Sequence, residues 1–333
     1  MRLDAQALAL LVLLTGCAGT VAPAKVASSS GAPSTSTAPE ASSLTPLDRS
    51  SASLPEAVRL FADEHVTGAM ALFDTRDGKL LCSDPAKCDA GYLPASTFKI
   101  ANTIIALETG IVSDAESPLP WDGQEYQNPD WNRDHTLRSA IQVSCLPCFQ
   151  GIARKVGEAR MHDWLNRLGY GNRDSSGRID FFWLGGALRI SPFQQIDFLR
   201  RLDGGKLPIQ EHTLDVVRDV LTLDVGPEHV LRGKTGLVGP PETPAEVGWF
   251  VGFVELGERR VFFATVLDGH SPDVDLKPVR RRVTERVLRE LGDLPSSATA
   301  ALETSTRYSD AELSPEKCRI GQPCEPVRSA YCW

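Results

Sequence analysis

Positive charge is in short supply in this sequence: 35 lysines and arginines stand against 43 aspartates and glutamates, for a formal net charge of −8. That balance gives no electrostatic footing for nucleic acid or for an anionic membrane surface. Long apolar runs are missing too. The stretch from Ala5 to Leu14 is too short for a bilayer, which needs about 20 residues, and no second one follows. No further Cys or His pair sits at zinc-finger spacing from Cys145-Leu146-Pro147-Cys148. No βαβ context surrounds that run either, so no metal is expected, and a small bridge is the alternative to redox or metal use. Absent as well is the strict alternation of strand and helix that builds a doubly wound sheet.

The N-terminus carries an address. Arg2 gives a positive start, Ala5 to Leu14 fit the apolar core of a secretory signal, and Leu14-Thr15-Gly16-Cys17 closes it. That ending resembles a bacterial lipobox, which implies a diacylated Cys17 as the mature N-terminus; an ordinary signal peptide cut near Ala18 is the alternative. Residues 1–16 are thus expected to be a lipoprotein signal. Residues 17–53, almost wholly Ala, Ser, Thr, Pro, Gly and Val, bury too little apolar surface to offset ordering entropy and read as a tether. The expected location is exported and lipid-anchored. Ala18 after Cys17 favours the periplasmic face of the outer membrane in a Gram-negative cell, otherwise the cell surface.

A folded body spans 54–294, and residues 295–333 form a tail with Cys318, Cys324 and Cys332. Export makes disulfides plausible. Cys82 and Cys88 flank a short Asp-Pro loop that suits a local bridge, and with Cys17 set aside an odd number of cysteines remains.

Within the body, alternation over Ala69 to Phe73, a turn through Gly78, and Lys79-Leu80-Leu81 predict a hairpin. A helix from about Ala95, apolar on nearly every side, ends before Gly110 and belongs in a core. Further helices are expected over 150–168, 192–202 and 214–221, strands over 247–256 and 260–267, and a last helix over 279–291 opened by Pro278. Strands, a helical block, then strands and a helix give an α+β (α/β sandwich) chain. The expected architecture is an antiparallel sheet built from both chain ends, flanked by helices, with a helical lobe inserted.

Two motifs carry chemistry. In Ser96-Thr97-Phe98-Lys99 a lysine lies one helical turn from a serine, on the same face. A serine needs a base to become a nucleophile, and a lysine buried among apolar residues prefers the neutral, basic form. Alone the pattern is weak, since a chain of this size matches it roughly once by chance; a helix-capping serine with a snorkelling lysine is the alternative. Lys234-Thr235-Gly236 offers a cation and a hydroxyl on an edge strand, with glycine leaving room, which suits a carboxylate. The two together, in this order, are the Ser-x-x-Lys … Lys-Thr-Gly arrangement of penicillin-recognising enzymes.

Tyr92-Leu93-Pro94-Ala95-Ser96-Thr97-Phe98-Lys99-Ile100 closely resembles the nucleophile segment of class D (oxacillinase-type) serine β-lactamases. Trp131 to Leu137, Ser144-Cys145-Leu146-Pro147, Tyr170-Gly171-Asn172, Phe182-Trp183-Leu184 and Gly248 to Gly252 extend the similarity from about Met70 to Leu291. The resemblance implies the serine β-lactamase/penicillin-binding transpeptidase-like fold and hydrolysis of the β-lactam ring of penicillin-type small molecules. Ser96 would be acylated and Lys99, N-carboxylated by carbon dioxide or bicarbonate, would be the general base; no other cofactor is implied. Trp183 would donate its indole N–H to that group, with Phe98 and Leu146 around it. Ser144 would relay a proton to the leaving nitrogen. Lys234, Thr235, Gly236 and Arg280 would hold substrate, and the backbone of Ser96 and Leu237 would form an oxyanion hole. Several arginines near Arg280 compete for its role, and His135 reads as structural. Leu146 stands where the family has valine; the extra methylene costs about 1–3 kcal/mol if the pocket cannot adjust. A penicillin-binding sensor or a D,D-peptidase, acylated but not turned over, is the competing reading.

Overall fold

The structure, a computed structural model, describes residues 51–239 and 247–295. Cys17, the tether up to residue 50, the loop with Pro240, Pro241 and Pro244, and the three tail cysteines lie outside the described residues.

The elements follow in order: β1 (Ala52–Ser53), α1 (Pro55–Asp63), β2 (Val66–Asp74), β3 (Leu80–Cys82), α2 (Pro85–Asp89), a 3₁₀ turn (Ala95–Phe98) and α3 (Lys99–Glu108). Then come β4 (Pro118–Leu119), a 3₁₀ turn (Pro129–Trp131), β5 (His135–Thr136), α4 (Leu137–Gln142), α5 (Leu146–Val156), α6 (Glu158–Leu168), α7 (Pro192–Asp203) and α8 (Glu211–Val220). The chain returns to β6 (Thr222–Val225), β7 (Val230–Val238), β8 (Val247–Leu256), β9 (Arg259–His270) and α9 (Leu276–Glu290).

Seven strands form one sheet in the order β1-β3-β2-β9-β8-β7-β6. Its pairs are antiparallel except β1 with β3, where Ala52–Ser53 run parallel to Leu81–Cys82. The sheet is therefore mixed, and the last two residues of the expected tether are its first strand.

Side-chain alternation divides the two faces. Along β2, Ala69, Ala71 and Phe73 join the core under the helical lobe, while Met70 and Leu72 join the core under α1 and α9. Both faces are covered, so the central strands read as nearly continuous apolar runs rather than clean alternation. α3 is buried from Lys99 to Leu107 and runs through the middle of the lobe.

Several boundaries differ from the sequence expectation. The helix expected over 150–168 is two, α5 and α6, broken at Gly157 with φ +81°, a conformation that favours glycine. α5 starts earlier because Pro147 fits a first turn, where its missing N–H costs nothing. α9 begins at Leu276 and not at Pro278, because the Asp275 side chain caps it by accepting from Lys277 N–H. Lys234-Thr235-Gly236 lies on β7, ahead of β8 and β9 and beyond the part of β7 that pairs with β6, as expected of an edge strand. α1, whose buried face is Ala57, Leu60 and Phe61, is an element the sequence reading had not assigned. Disulfides join Cys82 to Cys88 and Cys145 to Cys148. Among the described residues no helix is long and apolar enough to cross a membrane.

Candidate active site

Ser96 sits in the 3₁₀ turn that leads into α3, and its neighbour Ala95 has φ +49°. An L-residue with a Cβ pays roughly 1–2 kcal/mol for that region, so surrounding contacts must enforce it. Ala95 N–H donates to Trp183 O at 3.1 Å, Thr97 Oγ1 to Pro94 O at 2.6 Å, and Gln195 Nε2 to Thr97 Oγ1 at 3.1 Å. Such enforced strain is a mark of functional turns. On the far side, Trp249 Nε1 donates to Leu93 O at 2.9 Å.

Lys99 is fully buried, with Nζ 2.7 Å from Ser96 Oγ and 5.5 Å from the Phe149 ring centroid. Burial, and after it the Lys234 charge, holds its pKa well below the ordinary lysine value, which favours the neutral amine beside the serine. Phe98 anchors the turn. It stacks on Trp183 at 5.2 Å and meets Phe182 and Tyr170 edge-on. Trp183 is fully buried and its Nε1 has no hydrogen-bond partner, although buried indole N–H groups usually find one.

Ser144 ends α4 with φ +54°. Ser144 N–H donates to Ile141 O and Cys145 N–H to Ala140 O, at 3.2 and 2.8 Å, the pair of bonds of a Schellman end, where glycine or asparagine is usual. Leu146 opens α5 and packs, half-buried, against the core under the helical lobe.

The third wall is β7. Its pairing with β6 stops at Arg232, so the outer edge from Lys234 onward is free of β6. Lys234 is buried, with Nζ donating to Ser144 Oγ at 3.1 Å and to Thr235 O at 3.2 Å. Burial, then the Arg280 charge, pushes its pKa down to about 7. A Cβ on Gly236 would lie 3.0 Å from Pro94 O and 3.3 Å from Ala95 Cβ, so a side chain there would press on the nucleophile turn and glycine lets β7 close on it without strain; Leu237 follows it on the strand.

Arg280 donates from Nη1 to Gly236 O, is buried, and has an unpartnered Nε; burial lowers its pKa to about 10. Arg281 pairs with Glu285, and Arg282 with Glu64. Geometry thus separates three adjacent arginines that sequence could not.

The structure brings together Ser96, Lys99, Ser144, Lys234, Thr235, Gly236 and Arg280, with Phe98 and Trp183 beneath. Tyr170-Gly171-Asn172 does not reach the cluster's polar atoms. Asn172 is tied to Ala187 and Arg189, and a Cβ on Gly171 would meet Arg189 O at 2.1 Å, so this element is scaffolding. His135 is buried between Ser139 Oγ and Asp130 O, each at 2.9 Å. Phe149, the ring nearest Lys99 Nζ, escaped the sequence reading because it looks like any apolar position of an amphipathic helix.

Serines, buried lysines and a glycine-lined strand in this array describe a penicillin-binding transpeptidase fold, and the family model "Penicillin binding protein transpeptidase domain" matches residues 68–289. The chain is 37% identical to β-lactamase OXA-48 of Klebsiella pneumoniae over 235 residues, 71% of this chain and 87% of that one. It is 40% identical to β-lactamase OXA-10 of Pseudomonas aeruginosa over 234 residues, 70% and 87% of the two chains. The crystal structure of the class D β-lactamase YbXI from Nostoc superposes with a TM-score of 0.68 at 40% identity, covering 72% of this chain and 99% of that one. This chain belongs to the class D β-lactamase family.

Proposed function

We propose that this protein hydrolyses the β-lactam ring of penicillin-type antibiotics through an acyl-enzyme on Ser96, and thereby confers resistance. One observation carries the reading: a fully buried Lys99 amine, its pKa held well below the ordinary value, lies 2.7 Å from Ser96 Oγ. Trp183, stacked on the adjacent Phe98, keeps a buried indole N–H with no acceptor. That orphaned donor fits carboxylation of Lys99. Carbon dioxide taken up by the neutral amine would supply an anionic base, held by Trp183 Nε1–H and walled by Phe98, Leu146 and Phe149.

In this reading Ser96 Oγ gives up its proton towards Lys99 and attacks the lactam carbonyl. The backbone N–H groups of Ser96 and Leu237 receive the charge that develops on oxygen. Ser144, bonded to Lys234 Nζ, passes a proton to the departing ring nitrogen. Lys234, Thr235 and Arg280 seat the substrate carboxylate, a task to which the guanidinium fork is suited. A lipid on Cys17 and the tether after it would hold the body at the membrane, on the periplasmic side of the outer membrane in a Gram-negative cell.

Ring opening of a chromogenic cephalosporin and of a penicillin, followed over many enzyme equivalents with and without bicarbonate, tests the proposal. Sustained turnover that rises with bicarbonate is expected. A single equivalent opened, with a permanent mass increase on Ser96, would replace hydrolysis by the sensor or peptidase reading.

A further inference from the structure

Cys145, Cys148 and His135 have no task in the reaction above. The fold nonetheless gathers them: one ring nitrogen of His135 and the two Sγ atoms all lie within 4.8 Å of one another. The third donor comes from β5, so no Cys–His spacing pattern in the sequence announces it. The two sulfurs are joined as a disulfide. Cys145 and His135 are buried, while Cys148 is half-buried and lines a cleft of about 140 Å³ with Trp121, Trp131, Arg133 and Arg154. That cleft is a way in for a reagent.

We propose that reduction of the Cys145–Cys148 bridge turns this cluster into a binding site for a thiolate-seeking divalent metal ion of the zinc class. The ligands are two thiolates and one imidazole, with the fourth tetrahedral position left to water or an added ligand. Tetrahedral zinc–thiolate and zinc–imidazole bonds of about 2.3 and 2.0 Å put the ligand atoms about 3.5 to 3.8 Å apart. The two bonded sulfurs must therefore part, which breaking the S–S bond allows, while the imidazole nitrogen, within 4.8 Å of them, closes in by a side-chain rotation. The histidine is already set for it. Asp130 O can only accept, so Nε2 bears the hydrogen and Nδ1, facing the Ser139 hydroxyl, bears the lone pair. A metal on Nδ1 would displace that hydroxyl contact and keep the Nε2–H to carbonyl bond, the usual second partner of a ligating histidine.

The redox step balances as a dithiol exchange. A thiolate of an external dithiol attacks Cys148 Sγ, the S–S bond breaks, and the electron pair leaves on Cys145 Sγ. That sulfur accepts the Cys148 N–H at 3.2 Å at the start of α5, where the helix favours negative charge. The reagent's second thiol then displaces Cys148 and departs as its own disulfide, oxidised by the two electrons that the cysteines gained. Metal binding afterwards releases two thiol protons to solvent.

The test uses the full chain, reduced with a dithiol, freed of it under argon and titrated with Co²⁺. Expected is one high-affinity equivalent with a thiolate-to-cobalt absorption band and tetrahedral visible bands, absent from the unreduced protein. Cys145→Ser/Cys148→Ser should abolish the bands, and His135→Asn should weaken binding by about tenfold or more. The same bands in the double serine variant would place the metal on other cysteines and overturn the proposal. So would their absence from the reduced natural chain, or unchanged affinity in a folded His135→Asn. If that variant does not fold, the ¹⁵N shift of Nδ1 of His135 on Zn²⁺ addition to the reduced chain decides, and no shift overturns the assignment. These readouts do not depend on β-lactam hydrolysis.

Discussion

Two buried lysines, each paired with a serine, face one another across the cleft, and they are not alike. Lys99 lies at the start of a helix whose neighbours are apolar or aromatic, and Ser96 Oγ is its one hydrogen-bond partner among the described residues. Lys234 lies on a strand edge, bonded to Ser144 Oγ and Thr235 O, with Arg280 nearby. Burial lowers both pKa values, that of Lys99 well below the ordinary lysine value and that of Lys234 to about 7. In the proposed reaction the same side chain serves as a base in one place and as a switchable cation in the other. Besides burial, each amine feels a neighbouring cation, Lys234 beside Lys99 and Arg280 beside Lys234.

Removing the base should produce the largest effect. Lys99→Ala should cut kcat by about 10³-fold, within the range of general-base removal, while Ser96 still becomes acylated slowly; stopped-flow kinetics with mass spectrometry would read both. An equal loss in Lys234→Ala would erase the distinction between the two lysines.

Next comes the aromatic cluster around the nucleophile turn. Phe98→Ala removes the ring between Trp183, Phe182 and Tyr170 and should cost about 3–5 kcal/mol in urea unfolding. Trp183→Phe is gentler on packing and removes only the orphaned N–H. It should lower turnover about tenfold at ambient carbon dioxide and raise the bicarbonate concentration needed for half-maximal activity; an unchanged bicarbonate dependence would detach Trp183 from Lys99.

The smallest effect is a change of shape in the pH profile. Lys234 is protonated below about 7 and loses its charge above, so kcat/KM for a carboxylate-bearing penicillin should fall as pH rises through that value. The acid limb belongs to Lys99, whose amine when protonated can no longer take up the carbon dioxide that supplies the base. Lys234→Arg keeps a cation at all accessible pH and should flatten the alkaline limb alone.

The legible parts of this protein were those whose physics is local. The hairpin after Ala69, the apolar helix after Ser96 and the strands expected at 247–256 and 260–267, the second of which runs from Arg259 to His270, follow from period and turn residues. Ser96 and Lys99 meet because one helical turn separates them. Break points were less legible. Gly157 splits a pattern that looked continuous, and Asp275 starts a helix that Pro278 seemed to open. Each turns on one residue's backbone angle or one side-chain bond, which weighs little in a hydrophobic pattern.

Sequence alone was enough for the fold class, the two motifs and a lysine placed to be neutral, because these depend on composition and on neighbours a few positions away. Only the tertiary structure chose Arg280 over Arg281 and Arg282 and showed that Gly236 is there to let β7 close on Ala95. It alone found Trp183 without an acceptor and brought His135 to Cys145 and Cys148. Those facts depend on which distant segments share a wall, and on whether a buried polar atom has been left without a partner.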